Sequence, residues 1–267
     1  MTTTELPGAT DEVVVYREEG ALAYITLNRP QKLNALNPLV FRLLDEYVER
    51  FSVSADAKVA ILHGNGTSFA AGADIEHYVG LSVAEYMAFM RYGNAVQQRM
   101  VECTKPLIAA VHGYALGGGL EVALCCDLIV AEPDAKLGLP EARLGLLPGG
   151  GGTQRLPRLI GTVRAAELLM TGRRLSGTEA VACGLALGTG ESGSALEAAE
   201  ALANRLCKNA PLAIQMAKVL VRNSLEAPLS SGLPFEQSVG ALLYATDDAK
   251  EGIAAFVEKR APHFKGS

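Results

Sequence analysis

Residues 106–131 read PLIAAVHGYALGGGLEVALCCDLIVA. The runs PLIAAVHG and CDLIVAE are short and apolar, as expected for strands covered on both faces. Between them three glycines stand directly before LEVALCC, which reads as the start of a buried helix. Glycine weakens a regular element by roughly 0.5–1 kcal/mol relative to alanine, so the triplet needs a physical reason. Two are available. The first amides of a helix have no internal partner, and the helix dipole favours negative charge beside them. A glycine-lined helix start can therefore present bare N–H groups to a ligand oxygen, as an oxyanion site. Alternatively, the missing side chains let the helix pack tightly against a strand.

The flanking sequence supplies the fold class. EVVVYREEGALAYITLNRP (12–30) predicts a hairpin turning at Glu19-Gly20. Asn37 and Pro38 read as the cap and first residue of a helix reaching about Phe51. KVAILHG (58–64) is another buried strand, followed by the small-residue loop of SFAAGADIEHY (68–78). Ser82 and Glu85 have capping-box spacing at the head of a helix extending to about Cys103. Alternating strands and helices predict an α/β fold of stacked β/α units. The AAGAD loop and the glycine triplet each follow a parallel strand, so both are expected at the carboxyl ends of the sheet, where ligands bind in such folds. Beyond Gly161 helical periodicity dominates, with a second capping box at Ser176 and Glu179.

Composition narrows the function. The 267 residues are 49% hydrophobic and 20% charged, with a net charge of −5. That is an ordinary globular composition, without the basic excess of a general nucleic-acid binder. No apolar run reaches membrane-spanning length. The opening MTTTELPGATDE has neither a basic nor an apolar leader segment, so residues 1–11 are expected to be a tail and the protein cytoplasmic. The five cysteines form no CxxC pair and are expected as free thiols. The four histidines lack zinc-like spacing, so no metal is expected. Gly145 and Gly150 have Walker spacing, but Gly151 stands where the lysine belongs, and 113–121 carries no GxGxxG.

Five segments in order resemble the crotonase superfamily, and its enoyl-CoA hydratases most: LNRPQKLNAL (27–36), SFAAGADI (68–75), residues 106–131, LPEARLGLLPGGGGTQRLPRLIG (139–161) and EGIAAFVEKR (251–260). The resemblance spans residues 12–264. It implies a stacked ββα superhelix over 12–200 and a helical oligomerisation region over 201–267, assembling trimers or hexamers. The implied substrate is a 2-enoyl-CoA thioester, hydrated as in fatty-acid β-oxidation, with no cofactor because coenzyme A belongs to the substrate.

The resemblance also implies roles. The thioester oxygen would lie between the amides of Ala73 and Gly118. Glu121 would activate water, and Glu141 would protonate Cα. Arg29 and Lys32 would lie near the CoA phosphates, with Leu33 and Ala35 lining the groove. Ala71, Asp74 and Ile75 would shape the adenine or pantetheine site. Leu116, Gly117, Pro140 and Gly149 would border the substrate, Gly149 as a glycine associated with placing the water, and Phe256 and Lys259 would complete the CoA site from another subunit. The segment from Glu76 to Met100, with Tyr78, Tyr86 and Met87, would wall the acyl group. His63 and His112 depart from the family pattern and read as structural, and GGGG at 149–152 replaces a more usual GAGG. Alternatives are an enoyl-CoA isomerase, another acyl-CoA enzyme of the superfamily, or an RNA-binding homologue.

Overall fold

The computed structural model describes residues 12–190 and 193–267; the expected tail at 1–11 lies outside the described residues. The hairpin forms as β1 (Val14–Glu19) and β2 (Leu22–Leu27), paired antiparallel from Val14–Leu27 to Glu19–Leu22. Next come α1 (Pro38–Val53), β3 (Val59–Gly64), α2 (Val83–Glu102) and β4 (Leu107–Val111). Asn37 caps α1 by accepting from the Val40 amide, and the Ser82–Glu85 box closes both of its bonds at the head of α2.

From β4 onward the chain contributes strands to two sheets. β5 (Tyr114–Leu116) leads into the short helix α3 (Gly118–Ala123), followed by β6 (Leu128–Ala131) and β7 (Lys136–Gly138). Then follow α4 (Gly152–Ile160), α5 (Thr162–Thr171), β8 (Arg174–Ser176), α6 (Gly177–Ala182) and β9 (Leu187–Gly188). The larger sheet has the order β1-β2-β3-β4-β6-β9, parallel from β2 onward. The smaller is β5-β7-β8. Its three-residue strands are too short to show a sequence period.

Both faces of the large sheet are covered, which is why its strands read as unbroken apolar runs. Leu22, Tyr24, Val59, Ile61, Ile108 and Val130 pack against Ala195, Ala199 and Ala203 of α7 (Ala195–Leu206). Ala23, Ile25, Ala60, Leu62 and Ala109 face the main core, with Phe41, Leu44 and Phe51 of α1, Met100 of α2 and Leu120 of α3. Three further helices close the chain: α8 (Pro211–Asn223), α9 (Leu229–Tyr244) and α10 (Asp247–Glu258). The sequence pattern did not reveal α9, which carries Pro234 in its interior and buries only Val239. A helix without a buried stripe has no 3.6-residue period to detect.

A buried charge cluster ties α8 to the sheet. The Asp127 carboxylate accepts from Lys218 Nζ at 2.7 Å, Arg222 at 2.9 Å and the Leu107 amide at 2.8 Å. Lys218 also donates to the Lys105 carbonyl, and burial lowers its pKa despite Asp127. Removing one partner of a buried pair strands the other charge. Asp127→Ala is therefore expected to lower stability by roughly 3–5 kcal/mol, and the half-exposed Arg222→Ala by about 1 kcal/mol or less. Urea unfolding of both variants at one protein concentration measures the difference.

Candidate active site

The two small-residue loops meet at the carboxyl ends of β3 and β4. Ala70 forms a parallel bridge with Ala115, and its carbonyl accepts from the Leu116 amide at 3.0 Å. The three glycines that follow each answer a different demand. Gly117 has φ +50°, and a Cβ there would stand 2.9 Å from Glu141 Oε1. Gly119 approaches the strand so closely that a Cβ would stand 2.2 Å from the Ala70 carbonyl oxygen. At Gly118 a Cβ would meet nothing nearer than 3.5 Å, at the Ala73 amide and Leu36. Close packing thus accounts for Gly119, whereas a Cβ at Gly118 would make only ordinary contacts at the edge of the pocket space.

That space is bordered by two amides. In the loop, Ala71 N donates to the Leu33 carbonyl and Asp74 N to the Leu36 carbonyl. Among the described residues, the amides of Ala73 and Gly118 donate to no group of the chain. Gly118 is the first residue of α3, where an unpaired amide is the rule.

Two carboxylates share the pocket beside them, a cavity of about 150 Å³ that opens to solvent. Glu121, on α3, is 4% exposed. Its Oε1 accepts from the amides of Gly150 and Gly152 at 2.7 and 2.8 Å. Burial raises its pKa, opposed by those two bonds and by the Arg155 charge. Arg155 in turn donates to the Gly150 carbonyl at 2.8 Å, fixing the glycine loop. Glu141 opens the helical turn Glu141–Leu144 directly after Pro140. Burial, with the Glu121 charge adding to it, pushes its carboxyl up to about 7. Its Oε2 is buried without a hydrogen-bond partner.

Of the other residues singled out in the sequence, Ala71, Ile75, Gly117, Pro140, Gly149, Tyr78 and Tyr86 line this pocket. Leu116 lies buried just behind it on β5. Met87 does not line it and is 45% exposed; Met90 takes the wall position instead. Residues 86, 90, 93, 94 and 97 share one helical face, and 87 is turned away from it. Arg29 is held by Asp74 at 2.9 Å and by the Ala35 carbonyl at 2.5 Å. Lys32 pairs with Glu76 at the surface. Leu33, with φ +48°, and Ala35 flank them outside the pocket lining. Phe256 and Lys259 are exposed on α10 and at its end and do not line the pocket of their own chain. His63 bonds the Thr26 hydroxyl, with burial pulling its pKa down to about 4, and His112 bonds the Gly66 carbonyl, so both sit in structural bonds.

The sequence did not single out Phe41, Phe89, Asn94 or Gln97, which also line the site. The Asn94 amide donates to the carbonyls of Met90 and Gly149. Among the described residues no group of three or more His, Cys, Asp and Glu side chains is placed to hold a metal ion. No helix among them is long and apolar enough to cross a membrane.

The model of the enoyl-CoA hydratase/isomerase family matches residues 17–267. The chain belongs to that family. It is 42% identical over 255 residues to a probable enoyl-CoA hydratase of Rhizobium meliloti, covering 95% of this chain and 98% of that one. It is 41% identical to a 2,3-dehydroadipyl-CoA hydratase of Escherichia coli, covering 96% and 99%. An enoyl-CoA hydratase crystal structure from Bacillus anthracis superposes with a TM-score of 0.91 at 35% identity, over 96% of this chain and all of that one. The fold is thus crotonase-like, as the motif order implied.

The glycines can be separated by substitution. Gly119→Ala is expected to destabilise by about 1–3 kcal/mol, the usual cost of overpacking. Gly118→Ala is expected to retain the wild-type melting temperature, because its methyl group meets only ordinary contacts. Thermal unfolding followed by circular dichroism compares them directly.

Proposed function

We propose that this member of the family hydrates 2-enoyl-CoA thioesters to 3-hydroxyacyl-CoA. The observation that carries the reading is the pairing of two bare amides with two carboxylates in unlike environments on one pocket. The thioester oxygen accepts from Ala73 and Gly118, and polarisation of the carbonyl makes C3 electrophilic. Glu121, steadied as a carboxylate by two amides and Arg155, takes a proton from water as its oxygen bonds to C3. Electron density moves through C2 to the thioester oxygen. Glu141, held near neutral by burial, delivers its proton to C2, and the carbonyl re-forms. Paired carboxylates divide acid and base work in this way when their environments differ.

The acyl chain lies among Leu36, Phe41, Tyr78, Tyr86, Phe89 and Met90, an apolar and aromatic wall. The CoA handle runs out past Ala71, Asp74 and Ile75 toward Lys32, whose surface partner Glu76 yields readily to a phosphate. Arg29 holds Asp74 and shapes this exit rather than meeting the phosphate itself. Coenzyme A arrives with the substrate, and no other cofactor takes part. The chain assembles as trimers over its C-terminal helices, whose Leu229, Leu242, Tyr244, Phe256 and Val257 are exposed in the single chain. In the trimer Phe256 and Lys259 reach a neighbour's CoA.

Adding water requires both carboxylates, whereas moving a double bond needs only a proton shuttle. Glu121→Gln and Glu141→Gln are each expected to lower hydration by roughly 10²–10⁴-fold. Turnover on 2-enoyl-CoA and 3-enoyl-CoA decides it: an isomerase would convert the 3-enoyl substrate, hydrate poorly, and tolerate Glu121→Gln. The pH profile carries a second sign. Hydration needs Glu141 protonated, so kcat/KM falls as pH rises through about 7. Dehydration of 3-hydroxyacyl-CoA needs it ionised and rises through the same range.

A further inference from the structure

We propose that Gln97 is a further catalytic group, one that holds the attacking water together with Glu121. The proposal rests on the hydratase reading above. Helix α2 turns two amide side chains into the pocket, and they differ. Asn94 is bonded to two backbone carbonyls. Gln97 is 1% exposed, lines the same pocket, and its Oε1 has no hydrogen-bond partner. A buried acceptor without a donor is costly, and native proteins keep few of them. Its position indicates the donor it meets.

The indicator is Gly150. A Cβ at this residue would stand 2.6 Å from Glu121 Oε2 and 2.8 Å from both Gln97 Nε2 and Oε1. The Gln97 amide and Glu121 Oε2 thus lie side by side against the Gly150 Cα, no more than about 5.4 Å apart, a separation that one water on the pocket side spans with two hydrogen bonds. Oε1 of the same carboxylate already accepts the Gly150 and Gly152 amides, which leaves Oε2 for the reaction. A water between the two donates one proton to Glu121 Oε2 and the other to Gln97 Oε1; a half-turn of the amide sets which of its atoms faces the water. Both protons are then engaged, and an oxygen lone pair is left for C3. As the C3–O bond forms, the proton on Glu121 transfers and the Gln97 bond remains with the new hydroxyl. Glu141 supplies the C2 proton; Glu121 then releases its proton to solvent and Glu141 takes one up, so each turnover consumes one water and restores both carboxyl groups.

Two reactions separate this role from a structural one. Hydration needs the held water. Exchange of the C2 proton of a saturated acyl-CoA with deuterium oxide needs only the two amides and Glu141. Gln97→Leu, of similar size, is expected to lower hydration kcat about 10–100-fold, the worth of one such hydrogen bond, with KM and C2 exchange unchanged. Gln97→Glu places a second acid against Glu121 and is expected to shift the acidic limb of the hydration profile to higher pH. Retention of wild-type kcat in Gln97→Leu overturns the proposal. So does an equal loss of hydration and exchange, which marks a packing residue, or a change confined to KM, which marks a substrate contact. If Gln97→Leu fails to fold, an unmoved acidic limb in Gln97→Glu overturns it. A wild-type enzyme that exchanges C2 protons but does not hydrate refutes the hydratase reading itself.

Discussion

The approach of Gly119 to the Ala70 carbonyl is the constraint on which the site depends. No side chain fits between them, so α3 lies directly against the loop after β3. The Leu116 amide bonds the same carbonyl, and the Gly117 amide bonds that of Gly138 at the end of β7. Those contacts fix where α3 begins. Its first amide, at Gly118, then lies beside the amide of Ala73, and Glu121 projects from the first turn into the pocket. A six-residue helix has little stability of its own. Here the neighbouring backbone positions it.

The second half of the site comes from the far side of the same helix. The loop 149–152 wraps Glu121 Oε1 with two amides, and Arg155 fixes that loop by bonding the Gly150 carbonyl. At Glu141, Oε2 is buried and unbonded, and burial pushes the carboxyl up to about 7. The two acids are alike in chemistry and differ in what surrounds them. In the proposed reaction that difference assigns the base and the acid, and the bare amides receive the charge that develops between the two proton transfers.

Much of this was legible in the sequence because it rests on local rules. Runs such as KVAILHG and PLIAAVHG announce strands covered on both faces, and Asn37, Ser82 and Ser176 announce helix starts. The ordered motifs singled out the two glutamates and the two amides that the fold brings to one pocket. What escaped depends on tertiary contacts. The strands β5, β7 and β8 are three residues each and exist by pairing with one another. Helix α9 buries a single residue and carries Pro234 in its interior. Gln97 and Asn94 belong to a helical face whose inward direction becomes visible only once Gly150 and Glu121 are packed against it. The glycine triplet itself gave no sign that its members serve three purposes, since only neighbours distinguish Gly118 from Gly119.

The central claim is that two backbone amides polarise the thioester carbonyl. It is tested most directly by the vibrational spectrum of a bound acyl-CoA labelled with carbon-13 at the thioester carbon. On binding, the labelled carbonyl stretch should move to lower wavenumber than in water, as its oxygen accepts two bonds in a site that excludes solvent. A bound ligand whose carbonyl stretch stays at its solution value would contradict the account, because the amides of Ala73 and Gly118 would then not be holding that oxygen.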